Sequence, residues 1–324
     1  MPILTSTYSR PPRFLFNGHL ETIVPSLLRK IEGVIYSRER IDTPDGDFLN
    51  LDWSKVGGKS LLIISHGLEG DSRRHYAMGL VKLFNSEGID VLVWNNRTCG
   101  GEMNLKPILY HHGASYDLDT VVNHVLKTRD YDSIYLAGIS MGGAQTLKYL
   151  GEKGQDLPRE IQKAAVYSTP CNLPSSAATL KLKSNVFYKK RFLNKLKEKI
   201  RQKAVQYPDL FDLDLLEKVE DFDAFDTQFT AKIHGFKDAT DFYQSVSADN
   251  WMGHIAIPTL IVNALNDPLL GEACYPVELA KAKPEILLEM PKRGGHTGFT
   301  LKNEEFNWVE QRLLQFLKEP AGLL

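Results

Sequence analysis

Short, almost unbroken apolar runs recur along this chain, separated by stretches in which apolar residues return every three or four positions. The first pattern is that of buried strands and the second that of amphipathic helices. Strands are expected at Gly33–Ile41, Phe48–Ser54, Ser60–Ser65, Asp90–Asn95, Ser133–Ile139, Lys163–Ser168, Thr259–Ala264 and Ile286–Met290. Helices are expected at Tyr76–Glu87, Tyr116–Thr128, Met141–Glu152, Glu272–Lys281 and Glu304–Leu317. Strand and helix alternate, which predicts a largely parallel α/β sheet. A Thr43-Pro44-Asp45-Gly46 turn joins the first two strands and makes that start antiparallel. From about Cys171 to Gly253 the alternation stops, which marks a long helical insertion between the sixth and seventh expected strands.

One strand end carries chemistry. Gly138-Ile139-Ser140-Met141-Gly142 follows the fifth expected strand and opens a helix, fitting the G-x-S-x-G nucleophile elbow. A serine hydroxyl attacks a carbonyl only when it stands clear of the backbone, and a sharp strand-to-helix turn lifts it there. Small flanking residues let strand and helix close on that turn. The Met141 N–H, at the start of the helix, would then face a developing oxyanion.

A serine needs a base, and the base needs an orienting acid. Asp267 follows the seventh expected strand and His296 lies beyond the eighth, behind two glycines, giving the chain order Ser, Asp, His. A second oxyanion donor is expected after the third strand, where His66-Gly67-Leu68-Glu69-Gly70 points to the Leu68 N–H. Eight strands with the nucleophile after the fifth form the α/β-hydrolase arrangement. The helical insertion, residues 171–253, falls where such folds carry a cap, within a single domain over 1–324. His66 with Asp71, and His112 with Asp117, also satisfy an H-x-x-x-x-D acyltransferase pattern, but so short a pattern arises by accident. His111-His112 lacks other ligands at metal spacing and reads as a packed pair.

Composition narrows the classes. The 324 residues are 43% hydrophobic and 24% charged, ample for a core without metal or disulfide, and the three cysteines are odd in number and far apart. A net charge of −1 gives no global pull toward nucleic acid. The N-terminus lacks a signal-peptide pattern and no window reaches a membrane span, so a soluble, cytoplasmic protein is expected. Charge is nonetheless segregated in the insertion. Residues 179–201 hold nine Lys/Arg against Glu198, and residues 207–226 hold eight acids against Lys218. The basic run reads either as a patch for a membrane surface or an anionic substrate, or as a solvated helix partly paired with the acids that follow.

Several blocks together resemble the YheT-like branch of the α/β-hydrolases. They are Phe16–Pro25 (Asn-Gly-His-x-x-Thr), His66–Ser72, Asn96–Gly101, Leu109–Ala114, the cap-to-core return at Phe225-Asp226, His234-Gly235-Phe236 and Tyr243, Asn263–Asp267 and Gly295-His296. Thr98 departs from the pattern, standing where that branch usually has glycine. The resemblance implies carboxylic-ester hydrolysis or acyl transfer, and no cofactor or metal is expected. The expected enzyme is a serine carboxylesterase for short- to medium-chain acyl esters. Its rivals are an acyltransferase that passes the acyl group to an alcohol and a non-catalytic binding protein of the same fold. Phe187, Phe192, Leu193, Phe211 and Leu216 of the insertion would roof an apolar acyl pocket or form plain core.

Overall fold

The computed structural model describes residues 2–8 and 11–319. Its strands are β1 (Ile3–Leu4), β2 (Ser37–Asp42), β3 (Phe48–Ser54), β4 (Ser60–Ser65), β5 (Asp90–Asn95), β6 (Ser133–Ile139), β7 (Ile161–Tyr167), β8 (Thr259–Val262) and β9 (Ile286–Glu289). They form one sheet in the order β1-β9-β8-β7-β6-β4-β5-β3-β2. Only β3 runs antiparallel to its neighbours, β2 and β5. The eight expected strands are β2 to β9. The ninth, β1, is an addition that periodicity could not announce: two residues pair in parallel with β9 through Ile3 and Leu4.

The sheet is apolar on both sides, so its central strands read as continuous runs. Along β4, Leu61 and Ile63 join one core cluster while Leu62 and Ile64 join the other. The first layer is closed by helices α3 (Ser115–Thr128) and α4 (Met141–Lys153), through Leu118, Val122, Leu147 and Leu150. The second is closed by α2 (His75–Ser86) and the C-terminal helix Trp308–Lys318, through Leu80, Phe84, Leu313 and Phe316. That last helix starts later than expected because Asn307 and Glu310 form a reciprocal capping box there. The expected helix Glu272–Lys281 is broken. A single 3₁₀ turn spans Glu272–Cys274, Pro276 follows, and the helix runs only over Val277–Ala282.

Two helical regions pack against the strand ends where the site lies. Near the N-terminus, α1 (Gly18–Leu28) is capped by Asn17, whose side chain accepts from the Leu20 N–H at 2.9 Å. Between β7 and β8 the chain is helical, beginning with α5 (Leu173–Leu180) and the 21-residue α6 (Val186–Gln206). On α6, Leu193, Leu196, Ile200 and Ala204 share one face and meet Phe211, Leu216, Phe222, Phe225 and Phe229 in a separate apolar cluster.

Candidate active site

Ser140 sits between β6 and α4 at φ 55°, ψ −122°, in backbone space that an L-residue occupies only under constraint. Its neighbours supply that constraint. A Cβ on Gly142 would lie 2.1 Å from the Ser65 carbonyl oxygen, and one on Gly138 2.6 Å from that of Gly142. Both glycines are therefore required by close backbone approach, and the serine is held out at the C-terminal end of the central strand β6.

Around it the structure brings together the three residues expected from the sequence. His296 Nε2 lies 2.9 Å from Ser140 Oγ, and His296 Nδ1 lies 2.8 Å from Asp267 Oδ2 and 3.1 Å from Oδ1. The Asp267 side chain is fully buried and also accepts from the Leu269 N–H at 2.9 Å. With the proton on Nδ1, His296 donates to the carboxylate and presents a lone pair to the serine hydroxyl.

The loop carrying His296 is fastened almost residue by residue. Gly294 N–H donates to Glu21 Oε2 (2.5 Å), Gly295 N–H to Asn266 Oδ1 (3.0 Å), His296 N–H to Thr22 Oγ1 (2.8 Å) and Thr297 N–H to Ser168 Oγ (2.9 Å). Glu21, 1% exposed, also accepts from Arg293 Nε (2.6 Å) and Asn266 Nδ2 (3.0 Å). Glu21 and Thr22 thus fasten the His296 loop across separations of 273 and 274 positions, a tie not expected from the sequence. The only signal was the Asn-Gly-His-x-x-Thr block itself.

The loop after β4 closes over the serine, so near that a Cβ on Gly67 would lie 3.2 Å from Ser140 Cβ. Most of its amides are engaged: Gly67 N–H donates to the Tyr76 hydroxyl (3.1 Å), Glu69 N–H to that of Tyr110 (2.9 Å), Gly70 N–H to Gly67 O (2.9 Å). Among the described residues, the N–H groups of Leu68 and Met141 have no protein acceptor.

His111, His112 and His234 line the same cavity as Ser140, but none of them hydrogen-bonds to that serine among the described residues. His66 is fully buried, its Nδ1 against Gly67 O (2.8 Å) and its Nε2 accepting from the Asn96 N–H (3.0 Å). Burial lowers its pKa to about 4, so it is a neutral brace for the loop. His111 accepts from the Gly113 N–H and packs edge-on against His234 at 4.4 Å, and burial lowers its pKa well below the usual range. Thr98 takes φ 68°, the left-handed region that glycine enters freely.

Two cavities meet at Ser140 and His296. The first encloses about 970 Å³, including the space at its mouth, and is mainly apolar, with Leu109, Pro170, Leu180, Leu196, Phe222, Phe225 and Phe242 in its wall. The second, about 700 Å³, runs between α1 and α6. Of the five residues expected as a roof, Phe192 reaches both cavities and Phe187 lines the second. Leu193, Phe211 and Leu216 turn inward to the helical cluster, because that separate core needs them.

The basic run is less solvated than a plain charged face. Lys181 pairs with Asp223 and Arg201 with Glu217 (2.7 Å), the only ion pairs between the two segregated runs among the described residues. Lys199 turns in to Glu69 (2.8 Å), and Lys203, fully buried, donates to the carbonyls of Asn104 and Lys106 (both 2.5 Å).

Comparison with known proteins places the chain in a family. The α/β-hydrolase fold profile matches residues 60–302. The chain is 32% identical to YheT of Escherichia coli K12, across 95% of this chain and 92% of that protein. It is 28% identical to the mouse phospholipase ABHD3, across 92% of this chain and 74% of that protein. The solved esterase Pf2001 of Pyrococcus furiosus superposes with a TM-score of 0.59 at 18% identity, covering 90% of this chain and 95% of that one, a likeness of fold. The chain belongs to the α/β-hydrolases, in their YheT-like branch.

Proposed function

We propose that this ester-bond hydrolase is a serine carboxylesterase for short- to medium-chain acyl esters, working through an acyl-enzyme on Ser140. The observation that carries the reading is the continuous hydrogen-bonded chain from Asp267 through His296 to Ser140, at the mouth of an apolar cavity. Ser140 Oγ attacks the ester carbonyl while His296 Nε2 takes its proton. Asp267 holds the ring in the required tautomer and stabilises the imidazolium. The unclaimed N–H groups of Leu68 and Met141 support their role as oxyanion donors, each worth a hundredfold or more in such sites, on the order of 10²–10³. His296 then protonates the leaving alcohol, and water releases the acid by the same steps in reverse.

Residues 171–253 serve as a cap over a single hydrolase domain, roofing the acyl chain. The apolar wall of the first cavity, with Leu109, Leu180, Leu196, Phe222 and Phe225, supports a hydrocarbon acyl chain as its occupant. Among the described residues no helix is long and apolar enough to cross a membrane. The test is turnover of p-nitrophenyl esters from acetyl to dodecanoyl by the wild type and by Ser140→Ala. Turnover peaking at intermediate length and lost in the variant, with a fluorophosphonate labelling only the wild type, is expected. Failure of Ser140 to label overturns the proposal.

A further inference from the structure

The cavity between α1 and α6 differs from the acyl cavity in charge. Arg74, Arg191 and Lys195 line it beside Ser140 and His296. Its one acidic lining residue, Glu69, is already neutralised: Lys199 lies 2.8 Å from Oε1, and the Tyr110 hydroxyl donates to the same oxygen at 2.5 Å. Among the described residues neither Arg74 nor Arg191 forms an ion pair, although both are half-buried. Arg74 has one neutral partner, the Ser26 hydroxyl at 3.0 Å. Arg191 lies close enough to feel it: burial and then the charge of Arg74 lower the pKa of Arg191. Two partly desolvated like charges facing one space are unfavourable until an anion enters between them. Elsewhere on α6, Lys199, Arg201 and Lys203 point to other partners, and the exposed Lys195 donates to the Glu69 carbonyl at 3.3 Å, which leaves Arg191 as the α6 cation without a partner in the cavity, among the described residues.

We propose that this second cavity is an anion subsite that receives a carboxylate or phosphate carried on the alcohol portion of the ester. The inference rests on the esterase reading and adds the class of leaving group to it. With the acyl chain in the apolar cavity, the ester oxygen points across His296 into the cationic one. The leaving alcohol is then seated where its anionic group meets Arg74 and Arg191, and His296 stands at the junction to protonate it.

The test uses two esters that differ in one charge, 4-(butanoyloxy)benzoate and its methyl ester, each rate normalised to spontaneous alkaline hydrolysis. The wild type is expected to favour the anionic ester about tenfold in kcat/KM, mainly through KM, as a charge-assisted contact provides. Arg191→Gln and Arg74→Gln should each reduce that ratio several-fold, as should salt at about 0.5 M. A wild-type ratio of one or less, or a ratio that neither variant moves, overturns the subsite and leaves the esterase intact. If neither ester turns over, the esterase reading fails. The subsite is then decided by calorimetric titration of Ser140→Ala with 4-hydroxybenzoate and with phenyl phosphate. Binding weakened by adding Arg191→Gln supports it, and the tighter probe names the acid. No binding of either probe overturns it.

Discussion

The strand-end loops and the helical insertion both face Ser140, yet they are held by opposite means. In the loops, backbone atoms are fixed by collision and by buried hydrogen bonds: Gly142 against Ser65, the amide of Gly294 on Glu21, that of His296 on Thr22. The insertion stands on its own apolar cluster, and its ion pairs Lys181–Asp223 and Arg201–Glu217 lie in solvent, where such pairs contribute only ~0–1 kcal/mol. Chemistry is therefore placed on the part that tolerates no displacement. On the proposed reading, selection of substrate falls to a part whose side chains can change without moving the reacting atoms.

The strongest way to break this contrast is Gly142→Ala. The added methyl would meet backbone, which cannot swing aside, so the variant should yield no stably folded, active enzyme, read by melting temperature and ester turnover. Next comes acid. His66, His75 and His111 are buried, and burial lowers their pKa values, to about 4 for His66 and about 3 for His75. Folded-state values below the ordinary 6.5 mean that the unfolded chain takes up protons first. Stability should thus be intact above pH 6.5 and fall toward pH 4, by up to ~1.4 kcal/mol per pH unit for each histidine. A urea midpoint that stays level between pH 7 and 4.5 would refute this.

Asp267→Asn tests the loops' chemistry with little change of shape. kcat should drop on the order of 10³–10⁴-fold while the fold persists by circular dichroism. Glu21→Gln removes the charge that gathers Arg293, Gly294 and Asn266. A loss of about 10–100-fold in kcat with little change in KM would mark it as positioning the base. On the other side of the comparison, Leu216→Ala opens a void in the insertion's cluster, worth about 2–5 kcal/mol locally. For an acetyl ester kcat should change less than about threefold, whereas KM for longer esters should rise. An equal loss of kcat on all chain lengths would show that the two regions are mechanically one.

The same contrast explains what the sequence could announce. Strands β3 to β6 were expected with their observed bounds, because β4, β5 and β6 carry near-continuous apolar runs and β3 alternates apolar with polar positions. Ser140, Asp267 and His296 stood out because glycines and strand ends fix where such residues belong. Glu21 did not, since nothing local shows that a carboxylate in an N-terminal helix meets amides at the other end of the chain. The expected helix across Pro276 failed because periodicity outweighed a residue that cannot donate an N–H. The destinations of Lys199 and Lys203 were equally hidden. A run of lysines looks the same whether it faces water or turns toward carbonyls of a distant loop.

That Ser140 stands where two cavities meet also bears on the order of events in one turnover. On the proposed acyl-enzyme reading, the alcohol would leave from one side while the acyl chain stays anchored on the other, and the vacated side would become the path by which water reaches the bound intermediate. A retained alcohol would block that path. Product inhibition should accordingly come from the alcohol more than from the acid, and the rate of the second half-reaction should follow how quickly that side empties.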